Sequence, residues 1–161
     1  MKSKLDIINQ KILMAMQSNA KDPIAKIAEK SNISTSPCHN RIKQLENDKV
    51  ILGYVANLDI AKICNTVTFL AEVTLETHST KSFQEFETAI KKEETLVECY
   101  QASGAYDYHA RFVCRNAEDY KAITDRLMQK APIKNISSSC VLAKTKKFSG
   151  YPLDHLLNTD L

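Results

Sequence analysis

The feature that most constrains this chain is a change of hydrophobic period near residue 66. Val67, Phe69, Ala71, Val73 and Leu75 follow a strict period of two, with Thr68, Glu72, Thr74 and Glu76 among their partners. That pattern predicts a strand with one buried face. Residues 81–92 return to helical spacing with Phe83, Phe86 and Ile90 on one face. Leu96 to Ala102 reads as a strand, Ser103-Gly104-Ala105 as a turn, and Tyr106, Tyr108, Ala110, Phe112 and Cys114 alternate again. Tyr120, Ile123 and Leu127 mark a helix over 117–130, and Ile133 to Thr145 reads as the last strand. The order β-α-β-β-α-β predicts a ferredoxin-like half.

Before residue 57 the spacing is helical. Leu5, Ile8, Ile12, Ala15 and Met16 form a stripe over 5–17, and a short helix follows over about 23–31. Asp22-Pro23 reads as an N-cap with Pro at the first helical position. Ser31-Asn32-Ile33-Ser34 is a polar turn with one apolar residue in it. The third helix starts near Ser34-Thr35-Ser36-Pro37, with either Ser34 or Ser36 as its cap, and runs to about Asp48. Cys38, Ile42 and Leu45 face inward, and His39, Asn40, Arg41, Lys43 and Gln44 lie on its other face. Val50 to Ala56 reads as two short strands turned near Gly53, a wing. The chain is therefore α+β: a winged helix-turn-helix over 1–56, a connector over 57–65, a ferredoxin-like domain over 66–146, and a tail over 147–161. Two fates stay open for that tail, docking on a neighbour or staying loose.

Charge follows the same division. Residues 1–60 hold 9 Lys/Arg against 6 Asp/Glu, whereas residues 61–161 balance at 13 and 13. The whole net charge of +3 sits in the helical third. The third helix carries the chemistry for nucleic acid. Arg41 and Lys43 suit phosphate or guanine, Asn40 and His39 can read base edges, and Ser34, Thr35 and Ser36 sit with free helix-start N–H groups that suit a phosphate. A second cluster, Gly104, Tyr106, Asp107 and Tyr108, surrounds the turn of the second half with exposed backbone, rings and a carboxylate. It is a candidate small-ligand site.

Other classes fall away. The 5 cysteines are odd in number and scattered, and the 4 histidines form no ligand pair, so no disulfide framework or metal centre is expected. No Gly-x-Ser-x-Gly elbow or phosphate loop is present, so no enzyme is expected. No apolar run reaches membrane length and no signal peptide opens the chain, which predicts a cytoplasmic protein without membrane contact.

Four ordered stretches carry a family resemblance. Leu5-Asp6-Ile7-Ile8-Asn9-Gln10-Lys11-Ile12-Leu13 resembles the LDxxDxxIL opening of the leucine-responsive/asparagine-operon (Lrp/AsnC) regulators. Residues 33–46, Ile33 to Glu46, resemble the LSxSPxxxRIKxLE recognition helix, and Val50 to Ala56 the VIxGYxA segment. Ser103 to Tyr108 resembles the SGDYDY turn. The resemblance covers about residues 5–146. It implies a transcriptional regulator that binds double-stranded DNA, with a C-terminal domain for effector binding and oligomerisation. It also implies homodimers formed through the sheets, four of which assemble into a ring-like octamer. Effectors are amino acids or related molecules, with no cofactor. They bind at interfaces near the SGDYDY turn, which adds Ser103 and Ser138 to the candidate set. The contrasting reading is a small-molecule-sensing oligomeric protein without DNA binding. Four positions depart from the family: Asn9 replaces an Asp, Ala105 replaces an acid, Asn65 stands where Gly is common, a neutral change, and Lys49 stands where Gly is usual. The end of the third helix is therefore expected to cap in some other way.

Overall fold

The computed structural model describes residues 5–157 and divides the chain into two compact units. One comprises the residues up to Asn57 together with the segment from Lys146, and the other Leu58–Thr145.

The first unit holds α1 (Ile7–Ser18), α2 (Ile24–Lys30) and α3 (Thr35–Asn47). Asp6 caps α1, its carboxylate accepting the Asn9 N–H at 2.7 Å. The apolar stripes of the three helices meet in one core of Ile12, Ala15, Met16, Ile27, Ala28, Cys38, Ile42 and Leu45. Cys38 is fully buried, and burial pushes its thiol up.

The turn between α2 and α3 is a Schellman cap. Asn32 takes a left-handed conformation (φ 56°), the Asn32 N–H bonds Glu29 O, and the Ile33 N–H bonds Ala28 O. Ile33 then packs on the core, which is why one apolar residue interrupts the polar turn. Pro23, not Asp22, is the N-cap of α2. Asp22 instead accepts from the Lys26 and Lys30 ammonium groups and the Asn19 amide, each within 3.0 Å. Three donors outcompete one backbone N–H. For α3 the cap is Ser34, with Pro37 inside the first turn.

Two expectations fail just after α3. Its end does not find a different cap: Lys49 itself adopts the left-handed conformation (φ 57°), with its N–H on Glu46 O and the Val50 N–H on Leu45 O. This is the cap a glycine ordinarily makes, built with a side chain that strains it. Lys49→Gly should raise stability by about 0.5–1 kcal/mol, read as an upward shift of the urea midpoint at constant slope. The two wing strands are also absent from residues 50–56. The Val50 and Ile51 amides both bond Leu45 O, so they serve the helix end rather than a ladder. Ile51 packs on the core, while Leu52 and Val55 are exposed.

The second unit contains β1 (Val67–Leu75), α4 (Thr80–Ile90), β2 (Leu96–Gln101), β3 (Tyr108–Cys114), α5 (Ala117–Lys130) and β4 (Ile133–Cys140). The antiparallel sheet has the order β2-β3-β1-β4, the ferredoxin-like topology. Phe69, Ala71, Val73 and Leu75 face the layer of α4 and α5, meeting Phe86, Phe112, Tyr120, Ile123 and Leu127 in a second core. The last strand ends at Cys140, short of the expected Thr145. Cys140 pairs with Phe69, near the start of β1, so little partner strand remains beyond it. The opposite sheet face carries Leu70, Glu72, Tyr100, His109 and Arg111, and no helix of the unit covers it. After β4, a short helix, α6 (Leu153–Leu157), packs with α1 in the first unit. No helix among the described residues is long and apolar enough to cross a membrane.

Candidate functional site

The helical unit presents α3 along its outer surface. With Cys38, Ile42 and Leu45 fixed in the core, helical geometry puts Ser36, Asn40, Lys43 and Asn47 on the opposite face, and all four are exposed. Asn47 completes this stripe at i+4 from Lys43. Its i+4 spacing is a sequence signal, but as the last residue of α3 it lies where helix pattern and helix end are not distinguished by spacing alone. Lys43 makes no ion pair among the described residues. His39 is half-buried on the flank, beside the Ile27 and Ile42 side chains. Pro37 at the third helical position has no N–H, so the Ser34 hydroxyl makes no cap bond. Ser34, Thr35 and Ser36 are all exposed at the helix start.

Arg41 is placed differently from its neighbours. Its guanidinium turns toward α1 and donates to Asp6 Oδ2 at 2.6 Å and Asn9 Oδ1 at 2.9 Å. The Asn9 N–H and the Arg41 guanidinium together hold the Asp6 carboxyl below its usual range. Asn9 accepts from Arg41 as a neutral carbonyl, so the position keeps an acceptor without the usual charge. Behind α3, the Tyr54 hydroxyl donates to Glu46 Oε1 at 2.7 Å. Partial burial, then the Glu46 carboxylate, pushes Tyr54 up to about 12, so it stays a donor throughout the physiological range.

The second candidate cluster separates into three environments. Ser103 and Gly104 are exposed in the turn after β2, with Gly104 at φ 135°. Asp107 is 13% exposed and fully engaged: Oδ2 accepts the Leu75 N–H at 2.8 Å, and Oδ1 lies 3.0 Å from His78 Nε2. Its carboxylate thus takes the Leu75 N–H that a ladder carbonyl would otherwise take, while its own N–H bonds Val73 O just before β3 begins at Tyr108. Tyr106 and Tyr108 consequently do not share a strand face as their spacing suggested. Tyr106 is half-buried with its ring edge toward His109, on the open sheet face. Tyr108 enters the core against Phe86, and its hydroxyl donates to Glu87 Oε1 at 3.2 Å. Burial and then Glu87 push its phenol well up. Ser138 lies on β4 opposite Ala71, which pairs in turn with Ala110 of β3. It points to the helix layer and bonds the Tyr120 hydroxyl. Within one chain the sheet does not bring Ser138 to the turn. His78 and Glu87, the partners of Asp107 and Tyr108, carried no signal in the sequence because both contacts bridge elements distant along the chain.

Known proteins match both units. The family model for the AsnC-type helix-turn-helix domain matches residues 5–46, and that for the Lrp/AsnC ligand binding domain matches residues 68–151, more than half the chain. The chain is 28% identical over 151 residues to the DNA-binding transcriptional activator DecR of Escherichia coli, covering 93% of this chain and 99% of that one. It is 29% identical to the leucine-responsive regulatory protein of Haemophilus influenzae, over 91% and 89% of the two chains. Among solved structures, an AsnC family transcriptional regulator from Agrobacterium tumefaciens superposes with a TM-score of 0.86 at 32% identity, over 95% and 100% of the chains. A transcriptional regulator of Neisseria meningitidis in complex with L-methionine gives 0.86 at 25% identity, over 95% and 99%. With an exposed polar helix on a three-helix core, an antiparallel ferredoxin-like sheet and both family models matched in order, this chain belongs to the Lrp/AsnC family and is a transcriptional regulator with a DNA-binding helix-turn-helix and a ligand-binding domain.

Proposed function

We propose that α3 reads duplex DNA through Ser36, Asn40, Lys43 and Asn47, with Ser34 and Thr35 at a phosphate and His39 at the flank. The exposed stripe on α3 is the single observation that carries this reading. Asn40 offers the paired donor and acceptor that match an adenine edge, and Lys43 is a point charge suited to phosphate. Arg41 holds α3 against the start of α1 and sets its angle.

The ligand is an amino acid, as the L-methionine complex of the Neisseria protein suggests. The exposed turn at Ser103 and Gly104, with Tyr106 beside it, supplies the reachable atoms. Asp107 shapes that turn through Leu75 and His78, and Tyr108 anchors it from the core. Ser138 joins such a site only from a second copy of the chain. The uncovered sheet face, with Leu70 and Tyr100 exposed, favours a homodimer formed sheet to sheet, and four dimers would close the octamer. Ligand and DNA then influence each other reciprocally, by about 1–3 kcal/mol.

Calorimetric titration of the full chain with the twenty L-amino acids, followed by light scattering with any that bind, tests the ligand half. One amino acid, or a small group of related ones, should bind and alter the size or the DNA affinity of a dimer-based species. A monomer indifferent to all twenty would contradict it.

A further inference from the structure

We propose that residues 148–157 form a docking strap seated on the last turn of α1. Gln17 is the seat. Its Oε1 accepts the Tyr151 N–H at 2.6 Å, and its Nε2 donates to Tyr151 O at 3.2 Å. One side-chain amide thus pairs with both backbone groups of one residue, as a neighbouring strand would. Gly150 makes the approach possible. Its φ is 104°, and a Cβ there would meet Gln17 Oε1 at 3.0 Å and Gln17 Cβ and Cδ at 3.1 Å. The backbone conformation favours glycine, and a Cβ there would push the Gln17 amide aside by a few tenths of an ångström. Phe148 and Tyr151 pack edge to face at 5.3 Å, which stiffens the approach, and α6 lies along α1 beyond it. Four features at one place, in a chain with only 3 glycines, mark a built seat rather than a loose end.

The connectivity gives the seat its consequence. The chain passes from the helical unit into β1 through residues 58–66, and it returns to the helical unit after β4. With the strap seated, the helical unit is tethered at both ends. A second tether narrows the volume the unit explores, and this raises the effective concentration at which a second helical unit meets the same DNA. This step rests on the reading above that paired copies bind duplex DNA.

The test uses the full chain, with Gln17→Met, which removes both bonds and keeps the length, and Gly150→Val, which puts a β-branched side chain on a positive φ and crowds the Gln17 amide. Hydrogen exchange reads the seat: the Tyr151 amide should be protected by about tenfold or more in the wild type and should exchange freely in both variants. DNA binding reads the tether. On a duplex of about 12 base pairs, which takes one unit, the affinities should agree within about twofold. On a duplex of about 40 base pairs, both variants should lose about 3–10-fold, with the salt slope unchanged. Free exchange of the wild-type Tyr151 amide overturns the seat. An equal loss on both duplexes with a lower salt slope overturns the tether, because the segment would then touch DNA itself. A wild type that gains nothing on the long duplex beyond its extra registers overturns the paired DNA reading, and the tether with it, while the exchange result still stands for the seat.

Discussion

Replacing Asn40 and Lys43 together with alanine should lower affinity for the chain's own target DNA by about 100-fold or more, with the fold unchanged. A bidentate base contact is worth about 1–3 kcal/mol of discrimination. A lysine on phosphate contributes about 0.9 to the slope of log affinity against log salt. The two losses differ in kind and can be separated. Lys43→Ala alone should weaken binding to all sequences and lower the slope by about one unit, whereas Asn40→Ala should leave the slope alone and relax specificity at one base pair. Both side chains are exposed and neither belongs to the core, so thermal stability should move little. Arg41→Gln is the internal control. Because its guanidinium is engaged by Asp6 and Asn9, it should weaken binding without changing the slope, and Asp6→Asn should weaken it by a similar factor. A slope lowered by Arg41→Gln but not by Lys43→Ala would reverse the two assignments.

Asp107→Ala should destabilise the second unit by about 2–3 kcal/mol and weaken amino-acid binding by tenfold or more. The carboxylate is nearly buried and accepts the Leu75 N–H, so its removal leaves a backbone donor at the end of β1 without a partner. An orphaned donor costs about 1–3 kcal/mol, and a bond to a charged acceptor lies at the upper part of that range. The His78 contact is lost as well, but His78 is 71% exposed and adds little to stability. Asp107→Asn keeps an acceptor for Leu75 and should cost clearly less than alanine in urea unfolding. Equal costs for the two substitutions would mean that the Leu75 bond does not organise the turn.

The period change near residue 66 marked the four strands and two long helices of the second unit, because β1, β3, α4 and α5 each bury one face, but it showed neither the end of the last strand at Cys140 nor the short 3-10 turn Ile60–Lys62 inside the expected connector. The α3 register was equally legible from Cys38, Ile42 and Leu45. What the sequence hid was competition for hydrogen bonds. Asp22 looked like a cap because Asp-Pro favours one, yet two lysines and an asparagine brought near by folding claim its oxygens. Val50 to Ala56 has strand-forming residues, yet its first amides close α3. Tyr106 and Tyr108 have strand spacing, yet the Leu75 N–H bonds the Asp107 carboxylate, and β3 begins only at Tyr108. Arg41 shows the limit most directly. Its residue type suits DNA, and its spacing gave no sign of the partners Asp6 and Asn9, which stand more than thirty positions away along the chain.

DNA-linked amino-acid sensing is tested most directly by the affinity of the purified full chain for duplex DNA carrying its own upstream sequence, measured across salt with and without the amino acid found by titration. The logarithm of the affinity should fall linearly with log salt, and binding should be tighter on the upstream sequence than on random DNA. The amino acid should change this affinity about 5–150-fold, and DNA should change amino-acid affinity by the same factor. Binding that ignores both salt and sequence, or two ligands that fail to influence each other, would contradict DNA-linked sensing.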